Sequence, residues 1–425
     1  MLSAGGRESG GSRAPAGRWR LVRHARPVSA PRLLLAILAG LASAAAAAAD
    51  VGSFLDRHWA RPLPAQGKSP ASFSALEASL DPSACGSCHR DQLEDWKSSL
   101  HSRAMGPGVL GQLLDMKAQA REEHQECLRC HAPLAEQAAS LVQAIKQRGG
   151  AGLHEQGLVC AGCHVRGHAR YGPPRRDGSS PKPGEKLPHA GWQANEAFAD
   201  SRFCAACHQF EADGFALNGK LLENTYEEWR ASRYAREGRT CQSCHMPDRR
   251  HLWRGIHDPE SVRAGVTIEV QAPTVKTGRL VAGLRLANTG TGHFFPTYVT
   301  PRVEMEIFQV DAASKLLKGT RVVRALVRQV APDLSREIAD TRLQPDAIAM
   351  LDYERTANPK AVFLVYRVRV EPDAFYAAFY REMLKRGETR AGRKMIEQAL
   401  VAANASRYVL MERREPLRSK TRAGP

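Results

Sequence analysis

Apolar and polar residues alternate with a period of two in the later part of the chain, from about Gly265 onward. This is the period of a strand that buries one face. Turn residues separate the runs, so residues 265–371 predict a small β-sandwich, with the immunoglobulin fold as one candidate topology. The apolar positions of the four clearest runs are Val266/Ile268/Val270, Leu280/Ala282/Leu284/Leu286, Val303/Met305/Ile307 and Val362/Leu364/Tyr366/Val368/Val370.

Helical segments are predicted on both sides of that region. The segment before it, residues 50–264, predicts helices joined by loops rich in glycine and proline, such as Gly172–Gly184, with little β structure. Two more helices and a solvated basic tail, Arg413–Arg422, are predicted in residues 372–425. The predicted fold class is α+β, a mostly helical domain followed by a small sandwich with terminal helices. The predicted helices are Asp91–Met105, Gly111–Glu126, Pro133–Arg148, Glu223–Arg236, Asp373–Lys385 and Gly392–Ala403.

Residues 1–49 have the composition of a secretory signal peptide. A basic region from Arg18 to Arg32 precedes an apolar run from Leu33 to Ala49 that ends in small alanines. This order predicts export to the periplasm and cleavage near Ala49. The alternative is an uncleaved membrane anchor, although the apolar run is short for a span of about 20 strongly apolar residues.

All ten cysteines belong to five copies of one motif, C-x-x-C-H. Two thiols at this spacing add to the two vinyl groups of one porphyrin, and the adjoining histidine reaches the iron as its proximal ligand. The sequence therefore predicts five covalently attached c-type haems that themselves form much of the core of residues 50–264. The motifs are Cys85-Gly-Ser-Cys88-His89, Cys127-Leu-Arg-Cys130-His131, Cys160-Ala-Gly-Cys163-His164, Cys204-Ala-Ala-Cys207-His208 and Cys241-Gln-Ser-Cys244-His245.

Two other kinds of site use C-x-x-C pairs. Zinc sites and redox disulfides contain them, but neither requires a histidine directly after the second cysteine, and here all five pairs have one. A disulfide framework is typical of much smaller secreted domains. The sequence therefore favours haem over zinc and disulfides.

The charge of the chain agrees with haem attachment. The formal net charge is +17, and it is +11 without residues 1–49. Five haems would carry ten propionates, and arginine pairs bidentately with carboxylates. Because no basic segment is interleaved with aromatic residues, a nucleic-acid partner is not expected.

Nine histidines lie outside both the motifs and residues 1–49, enough to give every iron a second axial ligand. Histidine on both faces gives a low-potential electron-transfer haem, whereas methionine raises the potential. The candidates for the second ligand are, in order, His101 and His293, then His189, His257 and His58, with His251 as a rival to His257. Three further histidines lie within about six residues of a motif and are predicted to contact propionates or other ligands; these are His124, His154 and His168. Methionine is the formal alternative, at Met105, Met116 and Met246.

The chain resembles the multihaem c-type cytochromes of the cytochrome c-554 and hydroxylamine oxidoreductase-like group over roughly residues 81–297. The resemblance implies a mostly helical fold with closely stacked haems, a periplasmic redox role, and ligation by His101 and His293. One departure is Tyr234, which stands where such chains often place a histidine after Ser232. The resembling features are the five motifs, the helix from Trp96 to His101, the stretch from Glu228 to Pro247, and the turn from Gly292 to Thr297.

Three functions are consistent with these features. The leading one is an electron carrier between periplasmic or membrane-bound donor and acceptor proteins, because histidine ligands are in surplus. The second is an enzyme that converts a small nitrogen or sulfur compound at one open haem, for which Tyr234 and the motif-adjacent Arg166 and Arg170 are the observations. The third is an assembly subunit that docks through the sandwich, which leaves the haems unexplained.

Overall fold

The computed structural model describes residues 50–147 and 150–417, and the predicted signal peptide therefore lies outside the described residues. Most helices of the first 200 described residues are short, and each is followed by an irregular segment. The first helix, α1, covers residues 50–58 of the described chain. The other helices are α2 (Ala75–Ala78), α3 (Pro82–Gly86), α4 (Arg90–Ser98), α5 (Pro107–Leu114), α6 (Arg121–His131), α7 (Ala135–Gln147), α8 (Cys160–His164), α9 (Arg202–His208), α10 (Thr225–Arg230), α11 (Arg233–Arg236), α12 (Cys241–His245), α13 (Pro259–Gly265), α14 (Ala374–Arg386) and α15 (Arg393–Ala405).

Three predicted helices are each divided. The predicted helix Asp91–Met105 ends at Ser98 and is followed by a separate 3-10 turn, His101–Arg103. The predicted helix Gly111–Glu126 is divided between α5, which ends at Leu114, and α6, which begins at Arg121. The predicted helix Glu223–Arg236 is likewise divided into α10 and α11. The two helices predicted after the sandwich are confirmed as α14 and α15.

In the haem-motif region, residues 50–264, the β structure of the described residues is limited to two small sheets. Three short strands form one of them and a two-stranded hairpin forms the other. Little β structure was predicted for this region, and that prediction is confirmed. The strands are β1 (Val165–Arg166), β2 (Ala169–Gly172), β3 (Gln193–Ala194), β4 (Ala216–Leu217) and β5 (Lys220–Leu221).

The larger strands form two antiparallel sheets, in the orders β12-β7-β6 and β14-β13-β8-β9. Each predicted strand run falls on a strand, and the α+β fold class is confirmed. Central pairings such as Leu284 with Leu351 and Tyr366 with Ile307 set the register. The strands are β6 (Val266–Lys276), β7 (Arg279–Asn288), β8 (Arg302–Val310), β9 (Val322–Leu326), β10 (Arg328–Val330), β11 (Glu337–Asp340), β12 (Ile348–Thr356), β13 (Phe363–Glu371) and β14 (Tyr408–Pro416).

The two sheets share one apolar core. Leu284, Ile307 and Leu364 are fully buried in it, and so is the ring of Tyr366. Burying such side chains stabilises a fold by about 1.5–3 kcal/mol each relative to exposure. The sandwich therefore closes a hydrophobic core with its own side chains.

The last strand corrects the prediction of a solvated tail. Residues Tyr408–Pro416 pair with β13 along its length, so the sandwich takes a strand from beyond residue 371. Only Leu410 of this strand is buried. Its charges pair with nearby side chains, Glu412 with Arg367 and Arg413 with Glu415. A charged edge strand lacks the apolar alternation that marks a central strand.

Buried charged groups join the sandwich to the preceding region. Arg342 contacts Glu228 at 2.9 Å, and both side chains are about 5% exposed or less. Arg328, 1% exposed, donates to the carbonyl oxygens of Leu221 and Lys220. Val51 onward is accordingly one compact unit.

Within the described residues, no helix has both the length and the apolar character needed to cross a membrane.

Candidate functional site

Helix geometry places the two thiols of each motif on the same side of a helix. Four motifs lie inside helices, α6, α8, α9 and α12, and the first spans the end of α3. Residues three apart lie on the same helix face, so the cysteines of a pair project together. The chain therefore presents five preformed pairs of thiols, and all ten cysteines are free.

One cavity collects the five motifs. Its volume is about 2570 Å³, and its wall includes all ten cysteines and all five motif histidines. A single small-molecule site occupies only about 300–1,000 Å³. The space, its mostly apolar wall and the thiol pairs together fit several porphyrins rather than one substrate.

Backbone and hydroxyl oxygens orient the motif histidines. His164 Nδ1 lies 2.8 Å from Tyr171 O, and His245 Nδ1 lies 2.8 Å from Arg254 O. His131 Nδ1 contacts Ala104 O at 2.5 Å. A histidine held through Nδ1 presents Nε2 to a metal, which is the usual arrangement around a ligating histidine.

The fourth motif has a different anchor. His208 Nδ1 lies 2.6 Å from the phenol oxygen of Tyr298. Glu223 in turn hydrogen-bonds to Tyr298, and burial raises the pKa of Glu223 well above its usual value. His208 is therefore the only motif histidine, among the described residues, whose Nδ1 contacts a side chain.

Three histidines outside the motifs face motif histidines across a gap. The ring centres are 6.3 Å apart for His101 and His208, 6.2 Å for His164 and His251, and 6.3 Å for His245 and His293. An imidazole nitrogen binds a metal at about 2.0 Å and lies about 1.1 Å from its ring centre, so imidazoles on both faces of one iron have ring centres about 6.2 Å apart. Each gap therefore has the width of one ligated iron.

Burial keeps these rings neutral. It lowers the pKa of His101 to about 3, with His208 adding to the effect, and it lowers the pKa of His164 and of His208 to about 4. The neutral imidazole is the form that binds metals. These side chains are therefore in the ligating form at physiological pH.

The His293 loop is held closely against the rest of the site. Asn288 Nδ2 donates to His293 O at 3.0 Å, and Phe294 N donates to Glu228 Oε2 at 3.1 Å. A Cβ atom at Gly290 would collide with Ala264 O, so a glycine is needed for the loop to approach α13. The glycine turn noted in the sequence thus positions His293 at the cavity.

The first and second motifs differ from the other three. Burial, followed by the neighbouring His189, lowers the pKa of His89, so these two histidines lie close together. His189 lines the cavity, and its Nδ1 contacts Gly191 O at 2.9 Å. Neither for His89 nor for His131 does a histidine of the described chain stand at the ring spacing of the three facing pairs.

His58 does not line the cavity, in contrast to its ranking as a candidate ligand. Its Nε2 lies 2.8 Å from Cys163 O, and its ring stacks on Phe54 with centres 4.8 Å apart. His251, ranked as a rival to His257, lines the cavity and faces His164. Sequence spacing carries no signal for this position, because it depends on how the chain after the fifth motif folds back to the third motif.

His257 lines the cavity, but its Nε2 contacts Asp373 Oδ2 at 2.9 Å. The three motif-adjacent histidines do not line the cavity. Two of them hydrogen-bond to other groups of the protein, and the third has a buried nitrogen without a partner. His154 Nδ1 contacts Ser140 Oγ, His168 Nε2 contacts Gly67 O, and His124 Nε2 is buried without a partner.

Trp253 is a contact residue that the sequence reasoning missed. Its ring meets His101 edge-on at 4.6 Å and His251 edge-on at 5.0 Å. It therefore fixes the orientation of two of the three facing rings. The signal available in the sequence was an aromatic residue two positions after the candidate ligand His251.

The residues cited for an open-haem enzyme have structural contacts. Arg166 donates to the carbonyl oxygens of His58 and Gly162, and Arg170 to those of His168 and Glu77. The Tyr234 phenol donates to Thr289 O at 2.6 Å. Met116 and Met246 line the cavity, whereas Met105 is buried in an apolar cluster beside it.

Cysteines of different motifs also contact one another. The Cys85 thiol hydrogen-bonds to Cys160, and the Cys204 thiol to Cys241. Cys207 Sγ lies 3.8 Å from Arg129 O, beside the second motif. The first motif therefore adjoins the third, and the fourth adjoins both the second and the fifth.

Comparisons with known proteins agree with this chemistry. The model of the family "Cytochrome c554 and c-prime" matches residues 84–165. Cytochrome c-554 of Nitrosomonas europaea is 26% identical over 138 residues, which are 29% of this chain and 54% of that protein. The chain thus spans about half the length of this curated relative.

A solved structure has a similar fold. It is a penta-heme cytochrome c552 from Thermochromatium tepidum, with a TM-score of 0.54 and 18% identity, and the match covers 81% of this chain and 100% of that one. Together, the three findings confirm the resemblance to the multihaem c-type cytochromes.

Proposed function

We propose that this multihaem c-type cytochrome transfers electrons between redox partner proteins through five covalently bound haems. The observation that carries the proposal is the set of three facing histidine pairs at 6.2–6.3 Å. Two histidine ligands fill both axial positions of an iron and leave none for a substrate. Each haem would supply a one-electron ferric/ferrous couple.

The proposal assigns residues of this chain to each haem and its iron. The cysteine pairs bind the porphyrins through thioethers, and the motif histidines are the proximal ligands. His101, His251 and His293 would supply the second ligand to the fourth, third and fifth irons, respectively, and His189 would supply it to the first. His257 remains a ligand candidate from the sequence, and its contact with Asp373 would have to break for ligation.

The contacts between motifs support a spatial order for the haems. The first and third haems are neighbours, and the fourth adjoins the second and the fifth. The effect of Cys163 on the pKa of Cys204 and Cys207 supports the third motif as a neighbour of the fourth. In this order, electrons would pass between neighbouring haems, with the fourth as the branching point.

The proposed location is the periplasm, reached through the signal peptide of residues 1–49. The partners are a periplasmic or membrane-bound electron donor and an acceptor, with no nucleic acid. Contact with a membrane surface is compatible with this location, without a spanning segment after cleavage.

Paired histidine variants test the ligand assignment. We expect His101→Ala to convert one low-spin ferric haem to high-spin, because the iron facing His208 loses its sixth ligand. His58→Ala is the matched control, since His58 is also a buried histidine but lies off the cavity wall. Electron paramagnetic resonance should show the high-spin signal only for His101→Ala. The same signal for His58→Ala, or none for either, would overturn the assignment.

A second candidate function is conversion of a small nitrogen or sulfur compound at the second haem. The observation that favours it is that His131 has no facing histidine among the described residues. The ferric protein would then bind cyanide or nitrite at one iron, with a spectral change equal to one haem per chain. Spectra unchanged by either ligand would exclude this function.

A further inference from the structure

The first and fifth haems are two of the three ends of the haem order, and the chain segments around their motifs carry opposite charge. Cys88 of the first motif and Cys244 of the fifth are the two cysteines, among the ten, that are exposed. An exposed attachment cysteine places one edge of its haem at the surface. Electrons enter and leave most readily at such edges, because transfer slows steeply with distance.

The surroundings of the first motif are acidic. Residues 74–98 contain five carboxylates and only two cationic side chains. Asp81 is hydrogen-bonded to Gln156, and Asp95 is paired with Arg250 of the other end. This end presents mostly negative charge.

The surroundings of the fifth motif are basic. Residues 230–254, a window of the same length, contain seven arginines and only two carboxylates. Four of the arginines are paired with carboxylates, and these are Arg230, Arg233, Arg250 and Arg254. The remaining three are Arg236, Arg239 and Arg249, which are exposed and have no carboxylate within 4 Å in the described chain.

One of these three arginines contacts the exposed cysteine, and the other two lie close to it in the sequence. Arg239 Nη2 lies 3.7 Å from Cys244 Sγ, and Arg236, three residues before Arg239, is the last residue of α11. Arg249 donates to Pro174 O at 2.8 Å, and Arg176 on that neighbouring loop donates to the carbonyl oxygen of Asp248. Asp177 and Asp248 are nearby exposed carboxylates for which no ion pair is found in the described chain. Four cationic heads thus lie at this rim.

We propose that the rim formed by Arg176, Arg236, Arg239 and Arg249 is the docking surface for an acidic one-electron redox protein, which exchanges electrons with the fifth haem. The inference rests on the proposed electron-transfer function. Complementary charge steers diffusional encounter and raises association rates by about 10–10³-fold, and the effect falls with ionic strength. Arg176 and Arg236 are exposed, lie off the cavity wall and have no ion pair in the described chain, so their charge is available to a partner protein.

The reaction for the test is a single electron transfer. Reduced flavodoxin, an acidic protein, gives one electron from its anionic flavin hydroquinone to a ferric haem. The products are the flavin semiquinone and a ferrous haem, and no bond forms or breaks. Hexaammineruthenium(II), a small cation, serves as the reductant that the rim should not attract.

The variant R236E/R239E/R249E reverses three of the four positive charges of the rim. We expect its second-order rate with reduced flavodoxin to fall at least tenfold at low ionic strength, and the decrease to vanish at high salt, where the Debye length is about 3 Å. Its rate with hexaammineruthenium(II) should stay equal or rise. The matched control is R324E/R336E/R355E, three exposed sandwich arginines that also lack ion pairs in the described chain, and it should retain the wild-type rate.

Several outcomes would overturn the docking surface. These are equal slowing by both triple variants, equal slowing with both reductants, or binding to anionic lipid vesicles with an unchanged flavodoxin rate. Haem content and the number of electrons taken up at equilibrium are measured in parallel. If the wild-type protein lacks haem or takes up no electrons, the electron-transfer function itself is contradicted. If the triple variant takes up the wild-type number of electrons and its rate with flavodoxin is unchanged, only the docking surface is contradicted.

Discussion

The haem-motif region and the β-sandwich fold by different means. In the sandwich, apolar side chains from two sheets close a core that includes Leu284, Ile307 and Leu364. In the haem-motif region, short helices surround a cavity of about 2570 Å³. Chain segments that cannot bury enough apolar surface do not offset the entropy of ordering. The comparison indicates that the first region depends on its cofactors, whereas the second depends on its own sequence.

The largest expected effect comes from preventing haem attachment. In the full chain produced without haem, amides of residues 75–245 should exchange rapidly, and amides of β7, β8 and β13 should remain protected. The reason is that porphyrins fill the core of the first region only. Hydrogen exchange measured by mass spectrometry gives the amide protection of both regions in one sample. Equal protection of both regions, or of neither, would contradict the comparison.

Breaking the buried ion pair between the regions should have the next largest effect. Arg342→Met leaves Glu228 buried without its partner, and removing one member of such a pair costs about 3–5 kcal/mol. Denaturant unfolding of the haem-loaded protein measures the change. Arg324→Met, at an exposed position, is the control and should change stability by no more than about 0.5 kcal/mol. Similar values for the two variants would show that the interface is not held by this pair.

A cavity in the sandwich core should cost somewhat less. Leu284→Ala removes buried methyl groups and should lower the free energy of unfolding of the sandwich by about 2–4 kcal/mol. The decrease should be the same with and without haem, because the sandwich core contains no cofactor. A decrease that depends on haem loading would remove the distinction between the two regions.

Acid should have the smallest effect on the sandwich. Burial alone would raise the pKa of Glu304, but Arg302 and Arg369 hydrogen-bond to the carboxylate and hold its pKa below the usual 4.5. A lowered folded-state pKa contributes stability above pH 4.5 that is lost as the pH falls through the folded value. Thermal unfolding followed from pH 6 to pH 3 should show a shallower loss for Glu304→Gln than for the wild type. Parallel curves would exclude this contribution.

The sequence predicted the sandwich better than the haem site, for a physical reason. Alternating residues such as Val303, Met305 and Ile307 are sufficient to mark a buried strand face, because that pattern is local. The edge strand Tyr408–Pro416 was not predicted, because its second half consists mostly of charged residues and only Leu410 is buried. In the site, the motifs were evident from spacing, but the choice between His257 and His251 depends on contacts between distant segments.

The central claim is electron transfer through haems ligated by facing histidines. Electron paramagnetic resonance of the ferric protein, combined with pyridine haemochrome quantification, tests it most directly. We predict five haems per chain, with at least the first, third, fourth and fifth low-spin with two histidine ligands. Fewer than five haems, or a majority of high-spin irons, would contradict the account.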